Sequence, residues 1–414
     1  MSDFLRRAAL EYHEKPRPGK IATQITKPTE TQRDLALAYS PGVGQPCKEI
    51  QKNPDNAYRY TSKGNLVGVI TDGTAVLGLG NIGPLAGKPV MEGKAVLFKR
   101  FADIDVFDIE VDAETTEDFI ETVVRIARTF GGINLEDIAA PRCFEIEQAL
   151  VERLDIPVFH DDQHGTAIVV AAGLMNALDI QGKRLPDVKI CVAGSGAAAI
   201  ATITVLIELG ATPDNILISG RKGILYKGRE DIDRWRAPYA IETNARTIAD
   251  ACVGADVFIG VSGPDILTPD MLNTMAPNPV IFALANPDPE IMPDLAHQTR
   301  SDIIMATGRS DFPNQINNVL CFPYLFRGAL DVNASRITPE MRVAAVHAIA
   351  ELAKEEVPAE VLTAYNDDTL SFGKNYIIPT PFDPRLIERV PPAVSKAAVE
   401  SGTARSFTIE NDEV

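Results

Sequence analysis

The segment 188–199, Val-Lys-Ile-Cys-Val-Ala-Gly-Ser-Gly-Ala-Ala-Ala, constrains the fold more than any other part of the chain. Five β-leaning residues run into Gly194-Ser195-Gly196, and an apolar stretch continues to Leu209. That order predicts a strand, a tight turn and a helix. The spacing Gly194-x-Gly196-x-x-Ala199 is the Gly/Ala form of the dinucleotide fingerprint. Gly194 permits the turn, Gly196 lets backbone N–H groups approach a pyrophosphate, and Ala199 lets helix and strand pack closely. The helix start, with Ser195, Ala197 and Ala198, presents a partial positive charge to the phosphates.

Gly78-Leu79-Gly80-Asn81-Ile82-Gly83 repeats the spacing in a different setting. Pro84, Gly87, Pro89 and Gly93 follow and are expected to interrupt any covering helix. Residues 66–70 and 74–79 flank Thr71-Asp72-Gly73 and predict two strands of an Asp-Gly hairpin. A hairpin is antiparallel and makes no βαβ unit. The cofactor is therefore placed at Gly194, and 78–83 becomes a bent loop beside the active site.

The predicted fold class is α/β. An N-terminal α/β catalytic domain (1–160) precedes a doubly wound, Rossmann-type domain (161–310), and a mainly helical extension (311–414) returns to the first domain. Residues 37–44 are expected to enter a Pro-Gly turn as a strand, and 94–99 and 104–111 to continue the strand-rich pattern. A helix over 115–130 starts at a Thr115/Asp118 cap. Strands at 133–138 and 156–160 flank a helix begun at Pro141, and His160–Gly165 opens the helix 166–178. The net charge of −17 argues against nucleic acid or an anionic membrane as main partner. Five scattered cysteines without a C-x-x-C pair fit a reducing, cytoplasmic setting, and no apolar run reaches membrane-spanning length.

Glu136-Asp137 and Asp161-Asp162 end two successive predicted strands. Three such carboxylates brought together form a hard-oxygen site suited to Mg²⁺ or Mn²⁺. N-capping by Asp137 and Asp162 is an equally good reading of the residues. Tyr39, ahead of Ser40-Pro41-Gly42, could serve as a general acid, and Lys94, if partly desolvated, as a base. Each alone is as readily a half-buried strand-end tyrosine or a snorkelling lysine, and Lys88 and Lys99 compete with Lys94. Asn286, before Pro287, lies beyond a strand end where ligands bind, and Asn317-Asn318 lies in another loop. Both also suit turns.

These segments, in this order, resemble the malic enzymes: 38–43, 69–73, 78–83, 92–95, Glu136-Asp137, 160–166, 194–199, 285–287 and Asn317-Asn318. The similarity runs from about Ala22 to Ser401 and is nearest to the short bacterial branch, in particular to the front part of hybrid enzymes with a phosphotransacetylase-like domain behind it. The resemblance implies oxidative decarboxylation of L-malate to pyruvate and CO₂, with reduction of NADP⁺ or NAD⁺ and a need for Mg²⁺ or Mn²⁺. It implies Lys94 as the base for the malate hydroxyl and Tyr39 as the acid for the enolpyruvate carbon. Glu136, Asp137 and Asp162 become the metal ligands, with Asp161 behind them. Asn286 and Asn318 hold substrate and nicotinamide ribose, and a homodimer or higher homo-oligomer is expected.

Two departures matter. In the longer branch an arginine in the Thr-Asp-Gly segment binds the distal carboxylate of malate, and Ala75 stands there in this chain. At the ribose position, Gly220 replaces the usual acid and is followed by Arg221 and Lys222. Losing the acid removes repulsion against a 2′-phosphate and favours NADP⁺, with Arg221 and Lys222 as its partners; a solvated basic turn is the plainer alternative.

Overall fold

A computed structural model describes residues 3–405, so the last nine residues of the 311–414 segment lie outside it. Two sheets organise the chain. In the first, β1 (Leu66–Thr71), β2 (Asp105–Glu110), β3 (Gly132–Leu135) and β4 (Val158–His160) lie in the order β2-β1-β3-β4, all parallel. The second contains β5 (Ile190–Ala193), β6 (Ile216–Gly220), β7 (Gly223–Ile224), β8 (Val257–Gly260), β9 (Val280–Ala283) and β10 (Ile304–Thr307). Its order is β10-β9-β8-β5-β6-β7, and β7 alone is antiparallel. The order reverses at β5, so the crevice beyond Ala193 is the switch point at which such sheets bind ligands.

The first sheet corrects two expectations. No hairpin forms at Asp72-Gly73, because β1 is flanked by β2 and β3, both parallel to it. Residues 74–79 turn back as a loop with a short 3₁₀ turn, Leu77–Leu79. The segment expected to be broken by glycine and proline is a helix, Pro84–Ala102. Pro84 occupies its first turn, where a missing N–H costs nothing. Beyond Pro89, the buried residues Met91, Lys94, Ala95, Phe98 and Ala102 recur at helical spacing and fasten one face to the sheet. Residues 94–99 are therefore helical rather than extended, and the approach to Tyr39 is also a helix, Gln32–Ala38.

The Thr166–Ile180 helix is buried nearly all round and shares one apolar core with both sheets. The C-terminal helices Phe322–Asp331 and Leu386–Glu400 close that core from the far side. Phe98 meets Phe322 and Phe326 edge-on at 4.8 and 5.3 Å between ring centroids. Truncating it to alanine would cost about 3–5 kcal/mol. Arg327 reaches Asn65 at 2.6 Å and Arg405 reaches the carbonyl of Asp155 at 2.7 Å, so the C-terminal segment does return to the first sheet. No helix among the described residues is long and apolar enough to cross a membrane.

Candidate active site

Sheet register assembles the acidic residues. Leu135 of β3 pairs with His160 of β4, so the chain leaves both strands side by side at their carboxyl ends. Glu136, Asp137 and Asp162 thereby bring carboxylate oxygens within 4.8 Å of one another. Asp137 takes a left-handed backbone, φ 55°, and its N–H donates to Asp162 Oδ2 at 2.7 Å. Neither the Arg142–Arg153 nor the Thr166–Ile180 helix carries a side-chain cap. The capping alternative for Asp137 and Asp162 therefore falls away.

Lys94 enters this cluster from the Pro84–Ala102 helix. Its Nζ lies 2.7 Å from Asp161 Oδ2, 2.8 Å from Glu136 Oε1 and 4.3 Å from the centre of the Phe322 ring. Asn318 donates to the same Asp161 oxygen at 2.5 Å, and Asn134, two residues before Glu136 on β3, donates to Glu136 Oε2 at 2.8 Å. A Cβ on Gly165 would lie 1.8 Å from Asp161 Oδ1, so only glycine fits under that carboxylate. Lys88 and Lys99 are engaged elsewhere, with Asp108 at 2.6 Å and Asp105 at 3.0 Å. Lys94 is the lysine of the site.

Burial works on Lys94, Glu136, Asp161 and Asp162 alike. It pushes Asp161 and Asp162 up to about 6 and raises Glu136 as well, although Lys94 opposes each shift. Burial alone would lower the Lys94 pKa, but Asp161, Glu136 and Asp162 more than reverse it and hold the ammonium. One ammonium against four carboxylates leaves the pocket strongly negative. Three hard oxygen donors in such a pocket fit Mg²⁺ or Mn²⁺. His160, entirely buried with Nδ1 3.8 Å from Asp162 Oδ2, is pushed down to about 4 by burial and stays neutral.

Two predicted residues make no hydrogen bond to the cluster among the described residues. Tyr39 caps the Gln32–Ala38 helix with 77% of its surface exposed, and its hydroxyl has no hydrogen-bond partner among the described residues. Asn286 is exposed just beyond β9, on a cis bond to Pro287. A Cβ on Gly78 would come 3.4 Å from its carbonyl oxygen, so the 78–83 loop does face the cofactor sheet.

At the second sheet, the Ala197–Glu208 helix starts at Gly196 with no side-chain cap, which leaves its first N–H groups, including Ala197 and Ala198, open to an anion. Gly194 adopts φ 125°, and a Cβ there would be 2.8 Å from the carbonyl oxygen of Val261. A cavity of about 720 Å³ opens over this turn and reaches Ser195, Gly220, Arg221 and Lys222. A side chain at 220 would come 2.7 Å from the Ser195 hydroxyl, so the bare Gly220 and the fingerprint serine fit together. Lys222 is tied to Asp231 at 3.0 Å, and Asp231 is gripped by Arg229 at 2.6 Å. Arg221 is exposed and has no ion pair among the described residues. Asp231, Arg229 and Arg236, whose Nε donates to the Ser195 carbonyl at 2.6 Å, line the cavity without having been legible as motifs. Asn134 did leave a signal, since residues two apart on a strand share a face.

Against known proteins, residues 18–151 match the malic enzyme N-terminal domain family and residues 163–365 the malic enzyme NAD-binding domain family. An NADP-dependent malic enzyme of Halomonas elongata is 63% identical over 98% of this chain and 96% of its own length. An NADP-dependent malic enzyme of Escherichia coli K12 is 60% identical over 98% of this chain, which spans 54% of that protein. The crystal structure of the malic enzyme from Pyrococcus horikoshii superposes with a TM-score of 0.88 at 45% identity, covering 98% of this chain and 93% of that one. Two successive family domains, relatives of this identity and the shared architecture lead to one conclusion: the chain belongs to the malic enzyme family.

Proposed function

We propose that the chain oxidatively decarboxylates L-malate to pyruvate and CO₂, reducing NADP⁺ in preference to NAD⁺, with Glu136, Asp137 and Asp162 holding Mg²⁺ or Mn²⁺. The observation that carries this reading is a buried lysine bridging Asp161 and Glu136, the latter one of three carboxylates gathered within 4.8 Å of one another. A bound divalent cation would supply electrophilic polarisation at the oxygen on C2 of malate.

Lys94 is the base for the hydroxyl proton. As an ammonium held by Asp161 and Glu136 it cannot accept one. When the carboxylates are neutralised, burial becomes the dominant influence and favours the free amine. Asn318 and Asp161 then fix the direction of its Nζ, and the Phe322 ring keeps water from one side. Asn286 holds substrate and the nicotinamide ribose, together with Asn318. At the other end, the open N-terminus beyond Gly194–Gly196 receives the pyrophosphate, and Arg221 receives the 2′-phosphate.

Tyr39 is the acid for the enolpyruvate carbon. For an exposed Tyr39 to act there, the 30–45 segment must be laid over a Lys94 cluster, its own or that of a second copy. Leu35 and Leu37 are also more than half exposed, and a homodimer would cover them. Five free thiols support a reducing, cytoplasmic setting. The central test is NADPH formation from L-malate with and without Mn²⁺; turnover in chelator-treated protein would refute the metal assignment. Mixing Tyr39→Phe and Lys94→Ala subunits then separates the two placements of Tyr39. Recovered activity means it acts across copies, and none means it acts within one.

A further inference from the structure

Strand pairing stops at His160, yet the next two residues must aim their carboxylates at different partners. Asp161 turns to Lys94 and Asn318, whereas Asp162 turns to the N–H of Asp137. The chain manages this in a single π-helical turn, Asp161–Gly165, before the Thr166–Ile180 helix begins. A turn of this kind has no strand to hold it, and the Asp162 side chain is 37% exposed.

One side chain outside the acidic cluster fastens it. Glu147 projects from the Arg142–Arg153 helix with 14% of its side chain exposed. Its Oε1 accepts the backbone N–H of His160 at 3.1 Å, and its Oε2 accepts Gln163 Nε2 at 3.1 Å. His164 Nε2 stands 2.9 Å from Oε1 and 3.0 Å from Oε2. An ionised carboxylate only accepts, so that nitrogen carries its hydrogen. Three donors, one just before the turn and two inside it, thus converge on two oxygens. A glutamine could not replace the acid, because its single oxygen would leave an NH₂ facing other donors.

We propose that Glu147 is a positioning residue for the metal site: it locks the 160–164 turn in the one arrangement that brings Asp162 to Glu136 and Asp137. The inference rests on the reading of those three residues as metal ligands. Groups that orient ligands from behind typically change metal affinity by 10–100-fold when removed. A merely structural role for Glu147 would instead weaken the fold and the cofactor cradle along with the metal site.

The test is Mn²⁺ binding to the full chain without malate, read as free Mn²⁺ by electron paramagnetic resonance, alongside NADPH binding and thermal unfolding. Glu147→Gln should raise the Mn²⁺ Kd by roughly 10–100-fold and leave the NADPH Kd within about twofold. Glu152→Gln, about a turn and a half further along the same helix, should change neither. An unchanged Mn²⁺ Kd in folded Glu147→Gln, or an equal loss of NADPH binding, overturns the proposal. If that variant fails to fold, Gln163→Met removes one arm of the clamp, and there too weakened Mn²⁺ binding supports the proposal and an unchanged Kd refutes it. Asp162→Ala is run in parallel. Unaltered Mn²⁺ binding in that variant would overturn the metal reading itself, whatever Glu147 does.

Discussion

The acidic cluster and the phosphate cradle both lie at carboxyl ends of parallel strands, but they are made of opposite materials. In the cluster, side chains from β3, from the segments that follow β3 and β4, and from the Pro84–Ala102 helix do the work, and nearly all are buried and paired with one another. In the cradle, backbone does the work, and side chains matter chiefly by being absent, as at Gly194 and Gly220. The first site is fixed before any ligand arrives. The second is an open surface with three arginines and a lysine around it; Asp231 already holds Lys222 and Arg229, and Asp233 holds Arg236. Damage should therefore be large and specific in the cluster, and graded in the cradle.

The sharpest way to break this contrast is at Lys94. Lys94→Ala should lower malate turnover by about 100-fold or more, with NADPH binding, measured by fluorescence, unchanged. A loss of both would mean that the two sites are one cooperative unit. Next comes Arg221, the cradle cation without an ion pair among the described residues. Arg221→Ala should lower kcat/KM for NADP⁺ by roughly 10–100-fold, the worth of one charge-assisted bond, and leave NAD⁺ untouched. An equal effect on both cofactors would remove Arg221 from the 2′-phosphate.

Acidity separates the sites at an intermediate scale. Asp161 and Asp162, raised to about 6 by burial, take up protons in the folded, metal-free protein as pH falls toward 5. Protons then compete with the cation, and Mn²⁺ affinity at pH 5 should be at least about tenfold below that at pH 7. The sign for stability follows. Carboxyl groups raised above their unfolded values favour the fold at low pH, and that advantage is lost as pH rises through 6. Added Mn²⁺ should therefore raise Tm more at pH 7.5 than at pH 5.5. A shift independent of pH would show that these carboxylates do not titrate with binding. The smallest expected effect belongs to Asp231→Asn. Releasing Lys222, which is 74% exposed, should increase the preference for NADP⁺ only a few-fold.

The same contrast explains what was legible in the chain beforehand. A cradle of backbone leaves its mark as glycines at fixed spacing, and Gly194–Ala199 could be read directly. The acidic pairs could be read as candidates, but their convergence depends on β3 and β4 being neighbours in register, which no local pattern reveals. Lys94 was obscured by Gly87, Pro89 and Gly93, which oppose a helix locally. Burial of Met91, Ala95 and Phe98 against the sheet overrides them. The Asp-Gly step at 72–73 misled for a related reason. Gly73 is needed not for a hairpin but because the backbone of Gly83 passes where a Cβ would stand, at 2.2 Å. Glu147 left no trace at all, as a single acid on an amphipathic helix has many ordinary uses.

The π-helical turn at 161–165 also counts residues. An α-helix advances about 100° per residue, so deleting one residue from this turn would rotate everything that follows by that angle relative to β4. Eleven of the 15 residues of the next helix are buried, and one of them is a polar fiducial mark. Asn176 donates to the carbonyls of Ala350 and Ile377, both at 2.8 Å, from two different parts of the C-terminal segment. A shortened turn would swing that amide into apolar packing and leave both carbonyls unmet. The turn is therefore constrained in its five-residue length as well as in the two acids, the amide, the imidazole and the glycine that fill it. Length, as much as composition, is inherited at this point.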